Sequence, residues 1–243
     1  MEKIFSKENL QNAIENLLQK NNSCGIDGIY VDKYKEYFEM NGGVIQARLI
    51  TGEYKPDTVQ LIEILKKNGK KRVISRYTCT DRVVLEIIKQ EVSPYWEGKF
   101  SKYSFAYQKD KSIQQAVKQC AEYIGAGNHW VVELDIKDFF DSVNIERMFY
   151  LLGKVIENQT LLKLIHAYLY INVQDDTHRY RKIVGLVQGN PLSPLFSNIY
   201  MQEFDSYMEQ YHFCRFSDNI NIYLLWFTGR SREMQSRRTR LFG

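Results

Sequence analysis

Two aspartates in this 243-residue chain stand where a folded backbone presents side chains to solvent. Asp135 lies near the end of residues 130–136, WVVELDI, in which Val132, Leu134 and Ile136 point to one face and Val131, Glu133 and Asp135 to the other. Asp218 falls in a turn, Ser217-Asp218-Asn219, between two short apolar runs at 213–216 and 220–225. Alone, a strand-end aspartate is usually a solvated cap, and a turn aspartate usually serves the turn itself. Together they predict a carboxylate site on an antiparallel sheet. Two other features stand apart from the apolar pattern. Lys66, Lys67, Lys70, Lys71 and Arg72 place five cations in seven residues, and Gln188-Gly189 precedes a proline-rich helix opening.

The elements that must position these residues follow from periodicity. Residues 5–20 have the spacing of an amphipathic helix, and 21–29 (NNSCGIDGI) form a turn cluster. Two β-rich runs, 58–65 and 73–75, flank Asn68-Gly69, a strong hairpin signal, so the cations crowd a hairpin tip. Residues 81–92 carry Val84, Leu85 and Ile88 on one helical stripe, and Pro94 requires that helix to have ended. Helical patterns recur at 145–157 and 161–170. A polar β-like excursion over 171–184 then leads to a helix opened at Pro194, with Phe196, Tyr200, Phe204, Met208 and Tyr211 in its stripe.

Composition excludes several classes. Hydrophobic residues make up 44% of the chain, too many for disorder, and the longest apolar stretch, 222–227, is far short of the roughly 18 residues a membrane helix needs. The polar N-terminus has no signal-peptide core, so a soluble cytoplasmic protein is expected. Four scattered cysteines (Cys24, Cys79, Cys120, Cys214) and four scattered histidines predict reduced structural thiols and no zinc site. The net charge of +4 resides in residues 228–243, which hold five arginines against Glu233; the other 227 residues balance 28 bases with 28 acids. A nucleic-acid footprint in the body must then be a local patch.

In order along the chain stand GIDG (25–28), TGEYKPDTVQLIEILKKNGKKRVI (51–74), TCTDRVV (78–84), FSKYSFAYQKDKSIQQAV (100–117), ELDIKDFFDSV (133–143), GLVQGNPLSPLFSNIYMQEFD (185–205) and RFSDN (215–219). This series resembles the bacterial reverse transcriptases, especially the group II intron reverse transcriptase/maturase type, with retron and defence-associated relatives nearby. The last three motifs are the specific ones. The resemblance implies an α+β fold, the fingers and palm of a right-hand polymerase, with an antiparallel palm sheet flanked by helices. It places fingers at 1–129, palm at 130–227 and an arginine-rich, unfolded tail at 228–243.

The implied reaction is RNA-directed DNA synthesis, in which a primer 3′-hydroxyl attacks the α-phosphate of a deoxynucleoside triphosphate. Two divalent ions about 3.5–4 Å apart serve such in-line displacements, and Mg²⁺ takes hard oxygen ligands. The resemblance assigns two Mg²⁺ ions, with Mn²⁺ able to substitute, to Asp135, the Ile136 carbonyl and Asp218. It makes Asp135, Asp218 and Asn219 the catalytic set. Lys66 and Arg72 would contact the triphosphate. Phe140 would be the steric gate against a 2′-hydroxyl, with Phe139 or Phe140 competing for a place in the core. Gln188 and Gly189 would touch nucleotide and template backbone. The implied partners are an RNA template, a DNA or RNA primer and deoxynucleoside triphosphates, with no membrane; oligomeric state is not indicated.

Three departures from the family pattern stand out. The aromatic-x-Asp-Asp tip reads Phe216-Ser217-Asp218-Asn219, so an amide replaces the second carboxylate and removes one negative charge. A basic residue expected in the run Ser104-Phe105-Ala106-Tyr107-Gln108 is missing. After Leu225 nothing resembles the family's thumb, and the arginine excess reads as a truncated or frame-shifted end, or as an RNA-binding arm. Two rival functions follow: an RNA-binding maturase or defence scaffold with weakened or lost polymerisation, and a non-templated nucleotide-adding antiphage enzyme.

Overall fold

The computed structural model describes residues 1–20, 22–65, 69 and 71–225, with Lys71 and Arg72 described by their backbone alone. In chain order the elements are α1 (Lys7–Lys20), α2 (Tyr34–Thr51), β1 (Val59–Leu65), β2 (Lys71–Arg76), α3 (Cys79–Val92), α4 (Ile113–Gly125), β3 (Trp130–Asp135) and α5 (Phe139–Ser142). They continue with α6 (Ile145–Gly153), α7 (Gln159–Leu169), β4 (Asn172–Gln174), β5 (Arg179–Arg181), α8 (Ser193–Met208), β6 (His212–Phe216) and β7 (Asn219–Leu224). The fold is α+β. Its strands form two sheets, and the chain divides into two compact units, Met1–Phe100 with Ile136–Glu203, and Ser101–Asp135 with Phe204–Gly243.

In the first unit the hairpin expected at 58–76 is present, β1 pairing antiparallel with β2 from Gln60↔Arg76 to Leu65↔Lys71. The 171–184 excursion resolves into β4 and β5. β4 pairs parallel with β1 through Val59↔Val173 and Gln60↔Gln174, giving a four-stranded sheet ordered β2-β1-β4-β5. Helices α1 and α3 bury Ala13, Ile14, Leu17, Val84, Leu85 and Ile88 in the core. Thr78 opens α3 as an N-cap, its hydroxyl accepting from the Asp81 amide at 3.0 Å.

Asp81 is fully buried and accepts from four neutral donors: Tyr168 Oη (2.7 Å), Thr78 Oγ1 (2.8 Å), Tyr54 Oη (2.9 Å) and the Asp57 amide (3.0 Å). Burial raises its carboxyl above the usual range, and the hydrogen bonds pull the other way. The TCTDR motif thus ties α3, α7 and the entry to β1 together.

The second unit is a three-stranded antiparallel sheet ordered β3-β7-β6, with α4 packed on β6. A Ser112–Gln115 capping box starts α4. Phe105, Ala116, Tyr123, Cys214 and Tyr223 form its buried cluster. The outer edge of β6 is closed by a loop: Arg215 N donates to Tyr103 O and Phe105 N to Arg215 O, both at 2.9 Å. An open strand edge invites pairing with other chains, and this loop occupies it.

Three helices escape the sequence reading, the four-residue α5 among them. In α2, Gly42-Gly43 and scattered apolar residues give no one-sided stripe, and only Tyr34, Gly42 and Leu49 are buried. In α4, Ile113, Val117 and Ile124 are exposed, so the apolar pattern is wider than the face the sheet covers. No helix among the described residues is long and apolar enough to cross a membrane.

Candidate active site

The strand registers place the expected acidic residues. Along β3 and β7 the pairs run from Trp130↔Leu224 to Asp135↔Asn219. Directly opposed residues in an antiparallel pair have Cβ atoms about 4.5–5.5 Å apart on one face, so Asp135 and Asn219 share a face at one end of the sheet. Asn219 also pairs with Phe216 across β6 and β7, which reduces the connecting turn to two residues, Ser217-Asp218. Asn219 therefore belongs to the strand and not to the turn. Asp218 lies beside it, with Asn219 Nδ2 donating to Asp218 Oδ1 at 3.4 Å. Asp135 and Asn219 are exposed and Asp218 is half-buried.

These donors of the second unit suit a hard divalent cation: two carboxylates and the amide oxygen of Asn219. Ile136, which follows Asp135 directly, is the first residue of the other unit's second segment. No group of three or more His, Cys, Asp or Glu side chains is gathered to hold a metal among the described residues. The set has two carboxylates because Asn219 stands where a third would.

Beneath the turn lies a polar core that the sequence reading did not find. Arg215 is 0% exposed and Asp205 1%. The guanidinium meets the carboxylate side-on, Nε to Oδ1 and Nη2 to Oδ2, each at 2.6 Å. Its Nη1 donates to the Ser217 carbonyl and its Nη2 to Ser104 Oγ, both at 2.8 Å. Burial raises the Asp205 carboxyl, and the guanidinium opposes that shift. Ser217 has φ 62°, and its hydroxyl donates to Tyr107 Oη at 3.2 Å; Tyr107 itself has φ 60°. Non-glycine residues rarely adopt this region, and it is concentrated at functional sites.

The 104–108 run is held by two side chains that follow its start. Gln108 Nε2 donates to the Ser104 carbonyl at 2.7 Å, and the second is Lys111. Its Nζ donates to the carbonyls of Ser101, Lys102 and Ser104 at 2.8–2.9 Å, using all three ammonium protons. The signal for Arg215 was present in the sequence: a charge within Phe213-Cys214-Arg215-Phe216 must find a partner if the strand is buried. Which residue that partner is, the sequence does not say.

The first unit carries the remaining expected residues. Phe139 is buried and Phe140 half-buried, so Phe139 takes the core place. The Phe140 carbonyl accepts from Leu186 N at 2.6 Å and the Val143 carbonyl from Gly185 N at 2.8 Å, joining the FFDSV and GLVQGN motifs. A Cβ on Gly185 would lie 2.6 Å from the Asp141 carbonyl oxygen. The Gln188 carbonyl accepts from Ser75 N at 2.9 Å and also from Ser75 Oγ. Gly189, at φ +96°, passes so close to β2 that a Cβ would come 2.9 Å from Ser75 Oγ. Gln188 is half-buried and Gly189 exposed. Lys66 lies outside the described residues, as do residues 226–243. Arg72 pairs with Ile64 through its backbone, and its side chain is likewise outside the description.

Comparison with known proteins identifies the family. The family model for reverse transcriptase (RNA-dependent DNA polymerase) matches residues 64–225. Protein YkfC of Escherichia coli K12 is 25% identical over 193 residues, covering 76% of this chain and 50% of YkfC. The group II intron-encoded protein LtrA of Lactococcus lactis subsp. cremoris is 29% identical over 194 residues, 79% of this chain and 32% of LtrA. The chain thus spans half the length of one of these relatives and about a third of the other. Among solved structures, a chain of a partial Cas6-RT-Cas1–Cas2 complex shares the fold, with TM-score 0.59 and 22% identity, covering 97% of this chain and 39% of that one. A match across residues 64–225, more than half the chain and including Asp135 and Asp218, makes the chain a member of the reverse transcriptase (RNA-dependent DNA polymerase) family.

Proposed function

We propose that the chain carries an RNA-directed DNA polymerase centre built on the β3–β7 sheet end. The observation that carries this reading is the register Asp135↔Asn219 with Asp218 next in sequence, which puts two carboxylates and an amide oxygen at one sheet end. Asp135, the Ile136 carbonyl and Asp218 would hold Mg²⁺, two ions in the full reaction, with Mn²⁺ able to substitute. Bound there, the metal would supply Lewis-acid activation of the primer 3′-hydroxyl and charge stabilisation at the phosphate. Asn219 would contribute a neutral oxygen and orient Asp218 through its amide.

The residues of the other unit have their own roles. The half-buried Phe140 would pack under the nucleotide sugar and disfavour a 2′-hydroxyl. The Gln188 side chain would bind the incoming deoxynucleotide on a backbone that Ser75 fixes, with Gly189 leaving room for the template strand. Lys66 and Arg72 would meet the triphosphate. Template RNA, a DNA or RNA primer and deoxynucleoside triphosphates are the substrates this reading implies, in the cytoplasm. The Cas6-RT-Cas1–Cas2 likeness adds protein partners as a further possibility to test.

Asn219 favours a second reading, an RNA-binding maturase or defence scaffold with weakened polymerisation, because one negative charge is absent from the metal-facing set. Primer extension on an RNA template with Mg²⁺, comparing the parent with Asp135→Ala and Asn219→Asp, separates the two. Extension by the parent that disappears in Asp135→Ala supports the polymerase. Extension by Asn219→Asp alone supports the second reading. Extension unaffected by Asp135→Ala rejects this site.

A further inference from the structure

The Arg215–Asp205 pair does more than a buried ion pair requires. Two parallel hydrogen bonds to Asp205 neutralise the guanidinium, and an apolar pair of similar volume would serve packing equally well. The arginine nevertheless also reaches the Ser217 carbonyl, one residue before Asp218, and Ser104 Oγ in the loop beside β6. That loop is itself pinned, since the Ser104 carbonyl accepts from both Lys111 and Gln108. The same loop then supplies Tyr107, whose hydroxyl accepts from Ser217 Oγ. Ser217 is gripped at its carbonyl and at its hydroxyl while its backbone sits at φ 62°. A two-residue hairpin turn takes a positive φ at its first position, so the two grips act on a conformation that the Phe216↔Asn219 register already sets.

We propose that Arg215, anchored by Asp205, and Tyr107 are positioning residues that hold the Ser217 turn from two sides and thereby aim the Asp218 carboxylate at the cation. Neither side chain touches substrate or metal in this role. The inference rests on the cation site proposed above and adds the device that preorganises it. Planar geometry explains the choice of arginine: only a guanidinium offers donors in one fixed fork that can meet Asp205, Ser104 and Ser217 together. A lysine could neutralise Asp205 but could not span all three.

The test is Mn²⁺ titration of the ¹⁵N-labelled full chain by NMR, reading paramagnetic loss of the Asp218 and Asn219 amide signals alongside thermal melting. The key variant is Arg215→Met with Asp205→Leu, which removes both charges at once and preserves volume. The expected result is a cooperative melt that confirms folding at a somewhat lower temperature, displaced metal-free Ser217 and Asp218 amide shifts, and a Mn²⁺ midpoint raised roughly 10- to 100-fold, the usual cost of losing a residue that orients a metal ligand. Parent-like shifts and midpoint in that variant overturn the proposal. If the double variant fails to fold, Tyr107→Phe decides, because it removes one hydroxyl from an exposed ring: a raised midpoint supports the proposal and an unchanged one overturns it. Asp135→Ala separates the two levels. If it leaves the parent's Mn²⁺ broadening untouched, the cation site itself is wrong and the positioning role falls with it. If it abolishes the broadening while the double variant keeps it, only the positioning role fails.

Discussion

Each unit of this protein buries one aspartate, and the two are held by opposite means. Asp81 in the first unit has no cation among its bonding partners; two tyrosine hydroxyls, one threonine hydroxyl and one backbone amide converge on it. Asp205 in the second unit faces a guanidinium along two 2.6 Å hydrogen bonds. Neutral donors satisfy a carboxylate and stop there, so Asp81 ties elements into a scaffold. A guanidinium has donors to spare, and Arg215 spends them on the turn that carries Asp218. A charged anchor therefore transmits position outward, whereas a neutral one closes on itself.

That contrast can be broken experimentally. Arg215→Ala strands a fully buried carboxylate and should cost about 3–5 kcal/mol in denaturant unfolding; a loss below about 1 kcal/mol would mean that Asp205 finds water or another donor. Asp81→Asn should cost less, about 1–3 kcal/mol, because an amide cannot accept from all four donors and adds protons of its own. Its pH dependence gives a second reading. Burial raises the folded-state pKa of Asp81 above the ordinary 3.8, so its contribution is fully present below that value and is lost as pH rises through the folded pKa. The stability difference between parent and Asp81→Asn should shrink from acid toward neutral pH; a difference growing with pH would show that the hydrogen bonds outweigh burial.

Smaller effects test the nucleotide side of the first unit. Gly189→Ala combines a positive φ with a contact on Ser75 Oγ and should cost about 1–2 kcal/mol in thermal melting. Primer extension by that variant should fall more than its stability does, because the strand beside Gln188 is displaced. Smallest of all, Tyr54→Phe removes one of the four donors to Asp81 and should cost about 1 kcal/mol by the same unfolding measurement. An effect as large as that of Asp81→Asn would show that the Asp81 cluster cannot lose a single member.

Much of the architecture was legible because its signals are local. The pairing of the two runs at 58–65 and 73–75, the β3 alternation, the α3 stripe and the α8 opening each depend on neighbouring residues, and each is found in the described strands and helices. Local signals failed where they were diluted. α2 has glycines at mid-helix and no apolar stripe, and α4 shows more apolar surface than its sheet covers. Asn219 was misplaced by one residue because the hairpin closes through two turn residues, a choice made by register with Phe216.

The sequence by itself determined the family and the order of motifs, and it singled out the two carboxylates proposed to bind the cation, because residue types at fixed spacing carry that information along the chain. It also determined that an amide replaces the second aspartate of the tip. Only the tertiary structure decided that Asn219 faces Asp135, that Phe139 and not Phe140 enters the core, and that Ser75 lies against Gly189. It alone paired Asp205 with Arg215 and both with Ser104, whose number is more than a hundred lower. Such pairings are set by which surfaces pack when the chain closes on itself, and a buried charge takes whichever partner that packing brings within reach.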